Sequence, residues 1–261
     1  GFSLSPSEAC RAALARCGAS ARWRGGVNAD RIVPQGNGWQ VMDAGGRVLA
    51  EAPVVIIAGG TGSKQLAGVA GLPLESLRGQ VTLLPAGSIP TLGVALSGDR
   101  HAVVLPDGRT MIGATFQDHD DDASVRASDH ADNMASVERM LPGLCAPAQI
   151  DVDQLDGRTG FRAVTPDRLP VYGALDNAEP RETGTSESRS RDCAPAHPLY
   201  IASGLGARGI VWAPLCAELL AAQIDGDPWP VSRHLAQALD PARYISHSTK
   251  AAREMSADTD L

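Results

Sequence analysis

The spacing of apolar and polar residues predicts both helices and strands. The segment Ser5-Pro6-Ser7-Glu8 is typical of a capped helix start, and an amphipathic helix is expected from there to about Cys17. Residues 39–42 and 47–49 alternate in polarity on either side of a glycine-containing turn. This pattern predicts a hairpin that is exposed on one face.

Two continuous apolar runs predict strands buried in a parallel sheet. Val54–Ala58 precedes Gly59-Gly60, and Leu199–Ala202 precedes the segment Gly204–Gly209 and a helical pattern that ends near Asp225. The first run is expected to be buried on both faces. Since ligands bind beyond the carboxyl ends of parallel strands, the two glycine segments are the first candidate sites.

The middle of the chain has a different pattern of apolar and polar residues. Residues 77–115 alternate as antiparallel strands do, with a turn at Asp107-Gly108. A helix is expected over about residues 124–140, followed by strands at about residues 150–155 and near Phe161. This region therefore predicts a second domain built on an antiparallel sheet.

Composition narrows the class of protein. A chain of 261 residues, 43% hydrophobic and 20% charged, can bury the core of one large or two modest domains. We see no run of 18 apolar residues and no secretory signal, so we predict no membrane association and a cytoplasmic location. Five cysteines without a CxxC pair fit reduced thiols. The net charge of −7 means that a nucleic-acid partner would need a local patch.

The segment Gly204–Gly209 has the GxGxxG spacing of a dinucleotide-binding fingerprint. That fingerprint opens a βαβ unit, whereas no convincing strand follows this helix. Two simpler interpretations remain open. The helix N-terminus can stabilise an anion, or the glycines can serve only the close packing of strand and helix.

Two arginines are candidates for binding an anion. Arg162 lies where a strand leads into a proline-bounded loop, and its planar guanidinium matches a carboxylate. Arg78 has the same interpretation. The alternative is a surface side chain or a structural ion pair, for Arg162 with Asp167. The acidic run Asp118–Asp122 has no metal-ligand spacing, and we predict no metal site.

Several segments in order resemble the FAD-dependent oxidoreductases of the D-amino-acid oxidase and glycine oxidase superfamily. They are Gly1-Phe2 with the helix after Pro6, Ile56–Gly60, Leu77–Val81, Gly113–Phe116, Arg162–Pro170 with Gly173, and Gly204–Glu218. Within the superfamily, the chain most resembles the C-terminal oxidoreductase domains of bifunctional enzymes that modify the wobble uridine of tRNA. That resemblance is carried by residues 74–80, 204–221 and 239–243.

The resemblance implies a mixed α/β fold with an incomplete, Rossmann-like FAD-binding domain and an antiparallel-sheet substrate domain. The expected boundaries are 1–76 and 198–245 for the FAD-binding domain, 77–176 for the substrate domain, 177–197 for a disordered insertion and 246–261 for a tail. Superfamily members begin with a strand and a glycine-rich loop that hold FAD, and no such segment precedes Gly1. We therefore expect the isolated chain to bind FAD weakly, with a methyltransferase domain or the missing FAD segment as a partner.

The resemblance also implies residue roles. Arg162 is expected to bind the substrate carboxylate, Arg208 to act with it in catalysis, and Arg78 to contact substrate. Arg162 and the helix after Gly204 are expected to converge on opposite sides of the flavin ring. The expected FAD-binding residues are Val27, Ala58, Gly59, Gly60, Gly204, Leu205, Gly206, Ala207, Arg208 and Gly209.

The leading functional expectation is FAD-dependent removal of the carboxymethyl group from 5-carboxymethylaminomethyl(-2-thio)uridine at position 34 of tRNA, which gives the aminomethyl nucleoside. One alternative is a small-molecule glycine or D-amino-acid oxidase, which the acidic net charge favours. The other is a non-catalytic fragment or partner-completed module that cannot hold FAD alone.

Overall fold

The computed structural model describes residues 4–68, 72–145, 150–175 and 199–244. Its helices are α1 (Pro6–Arg16), α2 (Ser63–Ala67), α3 (Ala127–Met140), α4 (Gly209–Asp225) and α5 (Arg233–Gln237). Its strands are β1 (Arg31–Gln35), β2 (Gly38–Met42), β3 (Val48–Ala52), β4 (Val55–Ile57), β5 (Glu75–Leu84), β6 (Leu96–Ser97), β7 (His101–Val104), β8 (Thr110–Gly113), β9 (Gln117–Asp118), β10 (Asp156–Val164), β11 (Val171–Leu175) and β12 (Leu199–Ser203). The expected insertion at 177–197 and the tail at 246–261 lie outside the described residues.

The chain divides into two compact units. Residues 1–22 and 76–162 form the first unit, and residues 23–75 and 163–261 form the second. By this division the first helix groups with the antiparallel sheet. The assignment of one unit to FAD and the other to substrate stays a prediction.

The first unit is a six-stranded sheet with one long helix on one face. The strand order is β10-β5-β8-β7-β6, and β9 pairs with β5. Leu84, Ile112 and Ala102 are completely buried and cluster with Met134 and Val137 of α3. Because strand residues alternate between faces, the other face of the sheet carries residues such as Gly79 and Val81.

A buried polar network joins β5 to α3. Arg78 is completely buried, and its Nη1 donates to the Asp129 carboxylate at 2.6 Å. Every N–H-bearing atom of Arg78 has a partner; these are Gln80, Gln117, the carbonyls of Asp122 and Ser124, Asp129 and Thr159. The expectation that Arg78 contacts substrate is therefore corrected, because its donors are used inside the sheet–helix core.

The second unit contains two three-stranded sheets. β1-β2-β3 is an antiparallel meander, and the other sheet has the order β11-β12-β4 with β12 parallel to β4. The side chains of β12 alternate between the two faces of the sheet. Tyr200 packs with Cys216 and Leu219 of α4, whereas Leu199 and Ile201 belong to a cluster that includes Trp39. The central strand thus holds α4 on one face and the second cluster on the other.

Several predicted elements are confirmed. Ser5 caps α1 by accepting a hydrogen bond from the N–H of Glu8 at 3.4 Å. The hairpin forms from β2 and β3, and α4 ends at Gly226, whose φ of +75° suits glycine.

Two predictions about strands are wrong. Residues 152–154 form a 3₁₀ turn, and the strand begins at Asp156. Ile56 is 46% exposed, so β4 is not buried on both faces as predicted. The sheet is also mixed, since β11 runs antiparallel to β12.

One helical segment among the described residues, Gly206–Asp225, is long and apolar enough to cross a membrane. Helices of ordinary protein cores meet the same criterion. In this structure Leu219 and Leu220 of α4 are buried against the β11-β12-β4 sheet. The expectation of no membrane association stays a prediction.

Removing the partner of the buried Arg78 should destabilise the first unit. We expect Asp129→Ala to lower the free energy of unfolding by about 3–5 kcal/mol, because it leaves a guanidinium buried without its counter-charge. Urea denaturation monitored by circular dichroism measures this change. Asp107→Ala, which breaks the exposed pair with Arg109, is the matched control and should have little effect. Equal effects of the two substitutions would contradict the assigned role of Arg78.

Candidate functional site

Arg162 presents an unsatisfied positive group on the sheet face opposite α3. It lies near the end of β10, is half-buried, and its Nη1 is inaccessible to solvent without a hydrogen-bond partner among the described residues. Burial lowers the pKa of Arg162 below its usual value. A guanidinium in this state gains more from an incoming carboxylate than a solvated surface arginine would.

Gly79 and Phe116 enclose the guanidinium. A Cβ atom at Gly79 would overlap Nη1 of Arg162 and would stand 2.6 Å from the carbonyl oxygen of Thr115. Cζ of Arg162 lies 4.8 Å from the centre of the Phe116 ring, a cation–π distance. The absence of a side chain at residue 79 therefore gives Arg162 its place on the sheet.

A cavity of about 220 Å³ opens beside this group. We call it the Arg162 cavity, and its lining residues are Gly79, Val81, Arg158, Gly160, Phe161 and Arg162. None of the six is acidic, and two carry a guanidinium. The Arg162 cavity is therefore suited to a small anionic group.

His101 lies on the same sheet face. It pairs with Gly113 of β8, which pairs in turn with Val81 of β5, so the three residues share one face. Burial, together with the positive charges of Arg162 and Arg100, lowers the pKa of His101 below 6.5. His101 is thus neutral at pH 7, in surroundings that disfavour any added positive charge.

The second unit brings the two predicted glycine segments together. Because β4 and β12 are adjacent and parallel, Ala58-Gly59-Gly60 and the segment Gly204–Gly209 both follow the carboxyl ends of neighbouring strands. The hydroxyl of Ser203 donates to the carbonyl oxygen of Gly60 at 3.0 Å and ties the loops to each other. The sequence predicted each segment as a candidate site, and the parallel pairing places the two side by side.

The residues of these loops fit a flat, anionic cofactor. Gly204 and Gly206 have φ values of +74° and +56°, which other residues rarely adopt. A Cβ at Gly60 or Gly62 would meet nothing within 4 Å, so the chain leaves open space there. The N-terminus of the 17-residue α4 adds unpaired N–H groups and partial positive charge.

Other expected site residues are placed as follows. Nη2 of Arg208 donates to the carbonyl of Arg168 at 2.7 Å, and its Cζ lies 5.9 Å from the centre of the Trp212 ring. Val27 precedes β1 and is 41% exposed. Asp167 pairs with Arg243 at 2.9 Å, so the alternative of an Arg162–Asp167 pair is wrong. Catalysis by Arg208 and adenine binding by Val27 stay predictions.

The chain's sequence matches a known family over most of its length. The sequence model described as FAD dependent oxidoreductase, DAO, matches residues 1–223. The chain belongs to this family of FAD-dependent oxidoreductases. Membership confirms the expected family, fold class, enzyme class and FAD cofactor.

Named members of the FAD-dependent oxidoreductase family include close relatives of the chain. It is 42% identical over 257 residues to the tRNA 5-methylaminomethyl-2-thiouridine biosynthesis bifunctional protein MnmC of Burkholderia mallei (strain SAVP1) and to that of Burkholderia pseudomallei (strain 668). In each case the match covers 97% of this chain and 39% of the relative. The chain therefore spans about two fifths of the length of these bifunctional proteins.

Solved structures in this family share the fold. Glycine oxidase from Geobacillus kaustophilus matches with a TM-score of 0.60 and 22% identity, over 84% of this chain and 52% of that chain. Iminodiacetate oxidase from Chelativorans sp. BNC1 matches with a TM-score of 0.55 and 22% identity, over 77% and 50% of the two chains. At these identities the likeness establishes the fold.

Sequence reasoning missed three parts of the Arg162 cavity and its surroundings. Gly79, His101 and Arg158 were not assigned a role. The period-two alternation of β5 contained a signal, because it places Gly79 on the face opposite Arg78. No sequence signal identified Arg158 or His101, since each depends on which strands are neighbours.

A methyl group at residue 79 should displace the Arg162 guanidinium. For Gly79→Ala we expect an acidic substrate or competitive inhibitor to bind at least about tenfold more weakly, because a charge-assisted hydrogen bond contributes about 1.5–3 kcal/mol. Titration of the FAD-loaded protein measures this affinity. Gly93→Ala is the control, since a Cβ there meets nothing within 4 Å. Unchanged affinity in Gly79→Ala would refute the close approach.

The titration of His101 should report the charge of Arg162. We expect its pKa, measured by NMR, to lie below 6.5 and to rise in Arg162→Gln, whereas the exposed Arg109→Gln should leave it unchanged. Because the unfolded chain binds this proton more readily, the contribution of His101 to stability is present above about pH 6.5 and is lost as the pH falls. A pKa of 6.5 or higher in the wild type would contradict the burial of this side chain among cations.

Proposed function

We propose that the chain is part of an FAD-dependent amine oxidoreductase that removes the carboxymethyl group from 5-carboxymethylaminomethyl(-2-thio)uridine at position 34 of tRNA. The observation that carries the proposal is the half-buried guanidinium of Arg162, whose Nη1 has no hydrogen-bond partner among the described residues, beside a cavity without acidic residues. In the substrate, the carboxymethyl group and the nitrogen that stays on the nucleoside form a glycine unit, whose carboxylate matches that guanidinium. Relatives at 42% identity are named for biosynthesis of this class of tRNA nucleoside.

Arg162 would bind the substrate carboxylate through two parallel hydrogen bonds. Phe116 and the backbone at Gly79 fix the guanidinium plane, so the carboxylate and the adjacent CH₂ group take one orientation. FAD, if bound, would supply the acceptor for the hydride that leaves this carbon, and the nitrogen would give up its proton, so that a C=N bond forms. Water then adds to the resulting C=N bond, and the products are the aminomethyl nucleoside and glyoxylate.

The charge around Arg162 also sets the protonation of the reacting nitrogen. An amine releases hydride from its neighbouring carbon only when its nitrogen lone pair is free. Burial, together with the charges of Arg162 and Arg100, lowers the pKa of nearby His101, and the same surroundings disfavour an ammonium group. These residues would therefore hold the substrate as the neutral amine at pH 7.

The glycine segments would hold FAD. Ala58, Gly59 and Gly60 would contact the phosphates and ribose, with open space beside Gly60, and the segment Gly204–Gly209 with the N-terminus of α4 would stabilise negative charge on the flavin. Convergence of Arg162 and this helix on opposite sides of the flavin is part of the proposal. So are a cytoplasmic location and a second domain as partner, which we propose to be a methyltransferase; the relatives are named as bifunctional proteins.

A second candidate function is oxidation of a small amino acid such as glycine. The volume of about 220 Å³ is compatible with it, because a cavity of this size accepts a free amino acid as readily as the end of a modified base. In this case the same Arg162 would bind the carboxylate and no tRNA would be required.

One assay separates the two functions. The FAD-loaded protein is incubated with tRNA that carries carboxymethylaminomethyluridine, and the nucleosides are identified by mass spectrometry while glyoxylate is quantified. We expect one glyoxylate per aminomethyl nucleoside formed, and little flavin reduction by free glycine or sarcosine. Reduction by glycine with no change in the tRNA would favour the second function.

Replacement of the Arg162 guanidinium by the ammonium group of lysine should impair the reaction. For Arg162→Lys we expect a loss of about 2 kcal/mol in transition-state stabilisation, or roughly thirtyfold in kcat/KM, because bidentate binding is lost while the charge is kept. Arg139→Lys, an exposed position on α3, is the matched control. Turnover equal to that of the wild type would remove Arg162 from the carboxylate-binding role.

A further inference from the structure

A second arginine lines the Arg162 cavity and is not used by the proposed reaction. Arg158 lies four residues before Arg162 on β10, so strand alternation puts both side chains on the same face, with Gly160 between them. Four strand residues separate the two Cα atoms by about 13 Å. A Cβ at Gly160 would meet nothing within 4 Å, so the surface between the two arginines is open.

Arg158 has no counter-charge in the part of the chain that the structure describes. It is exposed and forms neither an ion pair nor a hydrogen bond with a described residue, including Asp156 on the same strand. Two other arginines of this unit form ion pairs, Arg109 with Asp107 and Arg126 with Asp120, whereas Arg100 and Arg139 hydrogen-bond to neutral groups. The Arg162 cavity thus holds two guanidinium groups without acidic partners, in a chain whose net charge is −7.

Two unpaired guanidinium groups this far apart cannot both bind the same carboxylate. Free glycine or sarcosine carries a single carboxylate, which Arg162 would take. A nucleotide whose base bears a carboxymethyl group carries a second anion, its phosphate, on the other side of the ribose. Arginine binds phosphate through the same planar fork with which it binds carboxylate.

We propose that Arg158 binds a phosphate of the substrate nucleotide while Arg162 binds the carboxylate on its base. The inference rests on the proposed function and names the part of the tRNA that the cavity contacts. Arg158 then determines specificity, because it favours a nucleotide over a free amino acid without touching the carbon that loses hydride.

Unreactive ligands test this assignment by binding alone. They are the thioether analogue of the nucleoside, in which sulfur replaces the reacting nitrogen, and its 5′-monophosphate, each titrated calorimetrically into the FAD-loaded protein. In the wild type we expect the monophosphate to bind about tenfold more tightly than the nucleoside. In Arg158→Gln we expect this difference to vanish while the nucleoside affinity is unchanged. Arg158→Lys should restore part of the difference, and Arg162→Gln should weaken both ligands.

Other outcomes overturn the proposal in distinguishable ways. Equal binding of the two analogues by the wild type, or a difference that persists in Arg158→Gln, would refute the role of Arg158 and leave the proposed function intact. Inorganic phosphate binding as tightly as the monophosphate would show a site for free phosphate instead. If methylthioacetate binds and neither nucleoside analogue does, the proposed tRNA function fails and this inference fails with it.

A salt titration with an anticodon stem-loop RNA supplies a matched control. Loss of one phosphate contact should reduce the slope of log affinity against log salt concentration by about 0.7–0.9 in Arg158→Gln. Arg139→Gln removes the same charge from α3, on the opposite face of the sheet, and should leave the slope unchanged. An equal reduction in both variants would attribute the effect to net charge and refute a specific contact.

Discussion

The alternation of β5 is the constraint on which the first unit depends. On one face, Arg78, Gln80 and Thr82 are completely buried and satisfy their polar groups with α3 and the segment that leads into it. On the other face, Gly79 leaves a gap that the guanidinium of Arg162 occupies. The strand cannot shift by one residue without exchanging these faces, which would bury an empty position against α3 and turn Arg78 toward the cavity. Register therefore decides which arginine is structural and which is available to a ligand.

The second unit obeys a different constraint, the parallel pairing of β4 with β12. Parallel neighbours bring their carboxyl ends to one edge, so residues 58–60 and 204–209 become adjacent although more than 140 positions separate them in the sequence. The hydrogen bond from Ser203 to Gly60 fixes that proximity, and α4 starts from the same edge. In the proposed function this edge would hold FAD. Glycine loops and a helix N-terminus present backbone N–H groups that can bind the FAD phosphates.

The sequence predicted features that depend on neighbouring residues, and it did not predict most features that depend on residues far apart in the chain. The cap of α1, the turn between β2 and β3 and the end of α4 at Gly226 are local, and local residue types predicted them. Each glycine segment was predicted as a candidate site, but their adjacency was not, because it depends on the pairing of β4 with β12. The structural role of Arg78 was not predicted. The sequence alone does not distinguish an arginine buried in the core from one that binds a ligand, because the difference lies in the residues that surround it. The pairing of Asp167 with Arg243 joins residues 76 positions apart, and no spacing rule reaches that far. Arg158 and His101 acquire meaning only when β10, β5, β8 and β7 are placed side by side.

The gap at Gly79 has a consequence for how this sheet can change over generations. The space that a side chain would occupy at residue 79 is already filled by the end of another side chain from β10. A larger side chain at residue 79 is compatible with the fold only if the side chain at residue 162 becomes shorter. A shorter side chain at residue 162 leaves a void unless residue 79 is replaced by a larger residue. The two positions are therefore expected to vary as a pair among descendants that abandon acidic substrates, and to stay fixed together in those that retain them.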